Sequence, residues 1–164
     1  MSTEDRLAAL EARLKKAEDH LEILNLISAY GPLADSCSVD EVTAQWINGG
    51  GYNYGKPDGG AVRLAAPEEL RHVWEQQGHV ELTRTGSAHM AATPKISVKG
   101  DEADAVGYSL VIKREGDRWF VWRAAINHWA LVRTADGWRV KEKFNRTLDG
   151  SDESHEVMKR IIGI

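Results

Sequence analysis

Three turn clusters divide the second half of this 164-residue chain. They are Val98-Lys99-Gly100-Asp101, Arg114-Glu115-Gly116-Asp117 and Arg133 through Asp136-Gly137, each flanked by runs rich in β-branched and aromatic residues. Gly beside a polar residue between such runs marks a tight reversal. The pattern predicts a four-strand meander over about 88–98, 103–114, 118–133 and 137–147. The third run exceeds typical strand length, so it should bend or carry a bulge. Pro94 cannot donate to a ladder and predicts a bulge in the first run. A one-residue bulge there would bring His89 and Ile96 onto the same, inner face.

The first half is helical. Leu7, Leu10, Leu14, Ala17, Leu21 and Leu24 recur at spacings of three and four, an apolar stripe along a helix over 4–34 with Ser2 as N-cap. The stripe is expected to pack on its own domain or on a neighbouring subunit. Ile23, Leu24, Leu26, Ile27, Tyr30 and Leu33 predict deeper burial until Pro32 and the Asp35-Ser36 pair disturb or end the helix. Residues 39–47 read as a short helix, and Pro67 opens another that runs to about Gln77. The stretch GGGYNYGKPDGG at 49–60 is too rich in Gly for helix, but Tyr52 and Tyr54 alternate as in a short strand. A helical tail at 151–162, capped by Ser151 or Asp152, would dock at a subunit edge. Helices followed by antiparallel strands is the α+β pattern: a single domain over 1–164 whose curved, mixed or antiparallel sheet wraps around the N-terminal helices as a cone-shaped barrel.

Composition narrows the partners. Hydrophobic residues make up 42% and charged ones 28%, ordinary globular usage that argues against a disordered or fibrous chain. The net charge is −4 and no basic block could track phosphates, so nucleic acid is not an expected partner. No stretch approaches the length of a membrane span, and the charged N-terminus lacks an apolar signal core. With Cys37 as the only thiol, a reducing, cytoplasmic setting fits. Six Trp residues, at 46, 74, 119, 122, 129 and 138, could wall an apolar pocket as well as fill a core. Trp and aliphatic residues on both sheet faces predict a homo-oligomer.

The candidate chemistry centres on two residues. His89 begins an apolar strand and has only Ala91 beside it on its face. Asp35 lies at a helix C-terminus, where the macrodipole is negative and an exposed carboxylate gains nothing locally. Facing inward, Asp35 would hold the imidazole in one tautomer and make it a general base suited to neutral pH. Otherwise Asp35 makes a local turn bond to Ser36 or Cys37, and His89 is a satisfied core residue. Tyr30 could offer its hydroxyl to a carbonyl or leaving group. Trp46, Tyr52, Tyr54, Asn127 and Arg146 are candidates to line a substrate pocket, as is Glu142. Asn127 and His128 are adjacent on one strand, so at most one faces inward. His72 and His79 are seven apart on a polar helix with no acidic cluster, so no metal is expected. No Walker loop, Gly-x-Ser-x-Gly elbow or dinucleotide fingerprint is present, so no cofactor is expected.

The leading helix LEILNLISAYGPLAD, together with SAHMAATPKISV and DGWRVKEKFNR in the meander, resembles the SnoaL-like branch of the nuclear transport factor 2 superfamily over about residues 5–148. The resemblance implies a curved sheet enclosing a cone-shaped cavity. Members include scytalone dehydratase, hexachlorocyclohexane dehydrochlorinase, bile-acid 7-alpha-dehydratase, polyketide cyclases and non-catalytic dioxygenase beta subunits. In the dehydratase and dehydrochlorinase group a His-Asp dyad has its Asp at the end of this helix and its His at the start of this strand, the places of Asp35 and His89. A tyrosine five residues before the Asp and a His-Met-x-x-Thr-Pro string, here His89 to Pro94, are similar to the bile-acid enzymes, and Arg146 falls near their C-terminal strand arginine. Their further acid has no equivalent near Ile112, so the steroid 7-hydroxyl substrate does not carry over. The resemblance implies a cofactor-independent lyase or isomerase acting on an apolar cyclic small molecule such as a steroid or polyketide, in a trimer, or a dimer if sheet backs pair. The alternative is a binding or oxygenase-partner module with the same cavity, and an epoxide hydrolase would require inward carboxylates such as Glu142.

Overall fold

The computed structural model describes residues 2–56 and 60–164. Residues 57–59 of the Gly-rich stretch lie outside the described residues. Helix α1 spans Thr3–Asp35. Ser2 caps it, its Oγ accepting from Asp5 N–H at 3.0 Å while the Asp5 carboxylate accepts from Ser2 N–H at 2.7 Å. The helix runs through Pro32 and stops one turn later, because only a single intrahelical bond is lost that close to its end.

The two halves of α1 have different surroundings. Residues 2–18 are all exposed, with Leu7, Leu10, Leu14 and Leu21 each more than half accessible, so the predicted stripe does not pack on its own domain. Contact begins at Asp19, whose carboxylate accepts two bonds from Arg133 at 2.7 and 2.8 Å and one from the Trp138 indole at 3.3 Å. Beyond it Ile23, Ile27, Gly31 and Ala34 form the buried face. Full burial of each isoleucine contributes about 1.5–3 kcal/mol, enough to seat this half firmly.

After α1 come α2 (Val39–Thr43), β1 (Trp46–Gly55), β2 (Ala61–Ala65), α3 (Glu68–Glu75) and α4 (Gln77–Thr85). Then follow β3 (Ser87–Ala91), β4 (Lys95–Lys99), β5 (Glu102–Glu115), β6 (Arg118–Thr134), β7 (Gly137–Thr147), α5 (Asp152–Lys159) and a 3₁₀ turn over Arg160–Ile162. The sheet order is β2-β1-β7-β6-β5-β3, with β4 also on β5. β1 runs parallel to β7 and the other pairs are antiparallel, so the sheet is mixed. The architecture is an α+β cone, with the curved open sheet wrapped against the N-terminal helices.

The sheet has seven strands where the turn clusters predict four. The Gly-rich stretch supplies β1, Ala61–Ala65 adds β2, and the 88–98 run is two strands. Ala92-Thr93-Pro94 opposes only Gly107 and Tyr108, so this break carries one residue in excess and leaves His89 and Ile96 on the same face of β5. Gly107 makes room for it, since a Cβ there would meet Pro94 Cα at 3.0 Å.

Two further irregularities shape the cone. Val111 pairs with Arg123 and Ile112 with Val121, so Trp122 is an extra residue in β6. Ala130 pairs with Glu142 and Leu131 with Val140, so Lys141 is an extra residue in β7. Each insertion reverses side-chain parity along its strand.

The core joins α1 to the inner face through Trp46, Trp74, Trp129, Trp138, Leu131 and Val140. Trp119 and Trp122 stand exposed at the β5–β6 hairpin. On the outer face α5 covers its own sheet, Val157 packing with Val106 and Ile126.

Candidate functional site

The end of α1 and the start of β3 meet at the mouth of the cone. Asp35 Oδ1 lies 2.7 Å from His89 Nδ1 and accepts from Ser87 Oγ at 2.6 Å, while Asp35 Oδ2 accepts from the His89 backbone N–H at 2.7 Å. The carboxylate therefore grips both the ring and the backbone of the same residue. Burial alone would raise its pKa, but the bonds from His89 and Ser87 together outweigh that and hold it below the usual carboxylate range. An ionised Asp35 requires Nδ1 to carry a proton, so in the neutral imidazole the free lone pair is on His89 Nε2, which has no protein partner among the described residues.

His89 shares a cavity of about 430 Å³ with Tyr30, Tyr52, Tyr54, Val73, Gln76, His79, Leu82, Trp122 and Arg123. Behind it a narrow recess of about 20 Å³ reaches Ser109, Asn127, Trp129, Lys143 and Asn145. A groove of about 660 Å³ continues outward past Leu82 and Trp122 to Glu81 and Arg114, but it lacks the buried titratable groups that mark the cavity.

Tyr30 borders both compartments. Burial, reinforced by Tyr52 beside it, pushes its phenol well above the usual range, so it is a neutral donor at any physiological pH. Tyr52 is raised by burial in the same way. Tyr54 sits half-buried at the rim against Tyr52, their ring centroids 5.2 Å apart. Asn127 lies in the recess: its Nδ2 donates to Ser109 Oγ at 2.6 Å and its Oδ1 accepts from Asn145 Nδ2 at 2.8 Å, a polar rung across β5, β6 and β7.

Three expectations require correction. Arg146 faces away from the cavity, its Nε 3.1 Å from Glu153 of α5 and its terminal nitrogen 2.8 Å from Asn53 Oδ1. Glu142 is likewise outward, 2.9 Å from Arg63. The extra residue Lys141 is the cause, because it shifts the inward positions of β7 from the even numbers to Lys143 and Asn145. Trp46 does not line the cavity but packs beneath it, 5% exposed, with its indole donating to Gly51 O at 3.1 Å and its ring 6.2 Å from both Tyr30 and Trp129.

Four residues of the site carry no sequence signal that singles them out. Ser87 fixes the carboxylate. Lys143 is 2% exposed, with Nζ 3.5 Å from the Tyr30 ring centre, 4.3 Å from Trp129 and 4.6 Å from Tyr52. Burial and the nearby Arg123 hold its amine well below the usual lysine range. Arg123 Nε is buried without a hydrogen-bond partner. His79 is delivered by the break between α3 and α4, its ring centroid 5.7 Å from that of His89. Its Nδ1 faces Trp74 O at 3.2 Å, its buried Nε2 has no partner, and burial followed by the His89 charge lowers its pKa.

A second His-Asp pair occupies the outer face, away from the cavity that holds His89. His128 Nε2 lies 2.7 Å from Asp104 Oδ1, and Nδ1 accepts from Arg160 at 2.8 Å, tying the C-terminal turn to the sheet. Among the described residues no group of three or more His, Cys, Asp or Glu is disposed to hold a metal. No described helix is long and apolar enough to cross a membrane.

Known structures share this architecture. An NTF2-like protein with a cystatin-like fold from Novosphingobium aromaticivorans is 32% identical, with 93% of this chain and 96% of that one covered at a TM-score of 0.87. A candidate scytalone dehydratase from the same organism is similar in fold at 17% identity, 84% and 87% coverage and a TM-score of 0.66. A candidate aromatic ring hydroxylase, also from Novosphingobium aromaticivorans, is similar at 19% identity, 80% and 90% coverage and a TM-score of 0.63. No curated protein matches the chain. The SnoaL-like domain model matches residues 15–143, a span that holds α1 from its fourth turn, the dyad and the whole cavity, and the chain belongs to this SnoaL-like family of the NTF2-like superfamily.

Proposed function

We propose that the chain is a cofactor-independent lyase or isomerase acting on a hydrophobic cyclic small molecule. The observation that carries this reading is the Asp35–His89 pair at 2.7 Å, locked by the second carboxylate oxygen on the His89 backbone. A binding module needs no such lock on one ring nitrogen. His89 Nε2 removes a proton from a carbon next to a carbonyl or leaving group, and Asp35 stabilises the imidazolium that forms. The neutral Tyr30 phenol donates to the developing oxyanion or to the departing oxygen. Aromatic walls from Tyr30, Tyr52 and Trp122 suit a ring substrate, and the cavity size fits one of a few fused rings.

A positioned base contributes about 10²–10⁴ in rate. His89→Ala and Asp35→Asn should each lose at least about 100-fold in turnover of a hydroxy- or halo-substituted ring ketone while keeping the wild-type melting profile. Unchanged turnover in both would sink the assignment and favour a binding or oxygenase-partner role for the cavity.

Self-association belongs to the same proposal. Leu7, Leu10, Leu14 and Leu21 on the projecting part of α1, and Trp119 to Trp122 on the hairpin, are exposed apolar surface of the kind a second copy of the chain would cover. Sedimentation should find a trimer or dimer at micromolar concentration, and Leu10→Glu should weaken it; a monomer in the wild type would refute self-association.

A further inference from the structure

The recess behind His89 holds two basic side chains and, among the described residues, no acid paired with either. Lys143 Nζ touches three aromatic faces and makes no ion pair. Arg123 Nε is buried and unpartnered. Asp35, the one carboxylate at the site among the described residues, is committed to His89 and Ser87. The groups facing Lys143 are Tyr30 from α1, Tyr52 from β1 and Arg123 from β6, of which only Arg123 is charged, and with the same sign. Tyr54, His79 and His89 are the other titratable groups that line the cavity among the described residues.

Desolvation opposes a buried ammonium without a counter-charge, and cation–π contacts offset only part of that cost. Apolar residues of similar length would fill the same space at no such cost. The steric shape of the site narrows what could supply the missing charge. The recess of about 20 Å³ admits one water-sized atom, whereas the outer cavity of about 430 Å³ takes a ring system. What reaches Lys143 from the cavity is therefore a single oxygen, with the ring left among the aromatic walls.

We propose that Lys143, backed by Arg123, is the receiving site for an ionised oxygen, carboxylate or phenolate, on the ring compound that fills the cavity. This rests on the reading of the cavity as the substrate site and narrows the substrate class from apolar rings to anionic ones. Bound so, the ring is pinned at one end and its opposite or adjacent carbon is presented to His89 Nε2. The amine gains a counter-charge only when the ligand is present, so an anion binds here with a preference that a neutral isostere lacks.

The test compares 2-naphthoate with 2-naphthamide, and 4-nitrophenolate with nitrobenzene, by calorimetry at pH 8 on the wild type and on Lys143→Met. The variant keeps an unbranched apolar side chain in the same space, and its melting profile checks that it folds. At least one anion should bind about tenfold or more tighter than its neutral partner in the wild type, a difference of about 1.4 kcal/mol, and lose that preference in Lys143→Met. A preference for naphthoate alone assigns the carboxylate, and one for nitrophenolate alone the phenolate. Equal affinities for anion and neutral partner, no binding of any probe, or a preference that survives in Lys143→Met would overturn the proposal. The comparison involves no turnover, so a loss of the His89 reading leaves this result standing and the reverse.

Discussion

Gly31 of α1 and His89 of β3 are in direct backbone contact: a Cβ on Gly31 would overlap the His89 carbonyl oxygen. Only a residue without a side chain lets the strand come close enough for Asp35, one helical turn later, to reach both the N–H and the ring of His89. Gly31→Ala should therefore do more than add volume. Overpacking of this kind costs about 1–3 kcal/mol, and the displaced strand should break the dyad. A lower melting temperature with loss of turnover is the expected outcome, and a variant with wild-type stability and turnover would contradict it.

The proton on His89 is assigned to Nδ1 by the Asp35 carboxylate. Asp35→Asn can present an amide N–H instead of a second acceptor, which favours the opposite tautomer. Long-range ¹H–¹⁵N NMR of the imidazole should show Nδ1 protonated in the wild type and a shift toward the Nε2–H form in the variant. An unchanged pattern would mean that Asp35 does not set the tautomer.

Lys143 makes alkaline stability a readout of its burial. Its folded pKa lies well below the ordinary 10.5, so between those two values the unfolded chain binds a proton that the folded chain does not. Stability then rises with pH across that window, and the full penalty stands at pH values below it. Lys143→Met should be the more stable protein at low and neutral pH, with the gap to the wild type narrowing as pH approaches 10.5. Urea titrations of both proteins at several pH values check this, and a constant gap would contradict it.

On the acid side, His79 and His128 are both held below the ordinary 6.5, each chiefly by burial. The unfolded chain takes up their protons first, so stability is at its full value above 6.5 and falls as pH drops toward the depressed folded values. His128 adds a local consequence, because protonating Nδ1 removes the acceptor for Arg160. Protection of the C-terminal turn amides, measured against their intrinsic exchange rates, should fall as the pH drops below 6.5 before that of the core does. His79→Leu should flatten part of the global pH dependence; equal slopes in wild type and variant would remove His79 as a contributor.

How far the site was readable depended on local periodicity. The turn clusters, the helical stripe and Pro94 are local signals, and they point to the helix end and the strand start where Asp35 and His89 stand. Alternation along β7 instead selected Arg146 and Glu142, because strict period two holds only until a strand gains a residue. The insertion at Lys141 becomes visible only when β7 is laid beside β6, where Ala130 and Leu131 face Glu142 and Val140. His79 escaped for a related reason: the chain breaks at Gln76 between α3 and α4, and only the packing of α4 on β3 brings its ring to His89.

The sequence by itself determined the order of helices and strands, the caps and turns, and the residue types available for acid–base chemistry, since these follow from backbone preferences and spacing within a few residues. Tertiary structure alone decided which faces those residues occupy. Bulges set parity, the Gly31 contact sets the reach of Asp35, and the closure of the cone determines that Lys143 and Arg123 meet with no counter-charge among the described residues. The physical reason is that burial, pairing and desolvation depend on neighbours distant in the chain, and no local pattern encodes who those neighbours are.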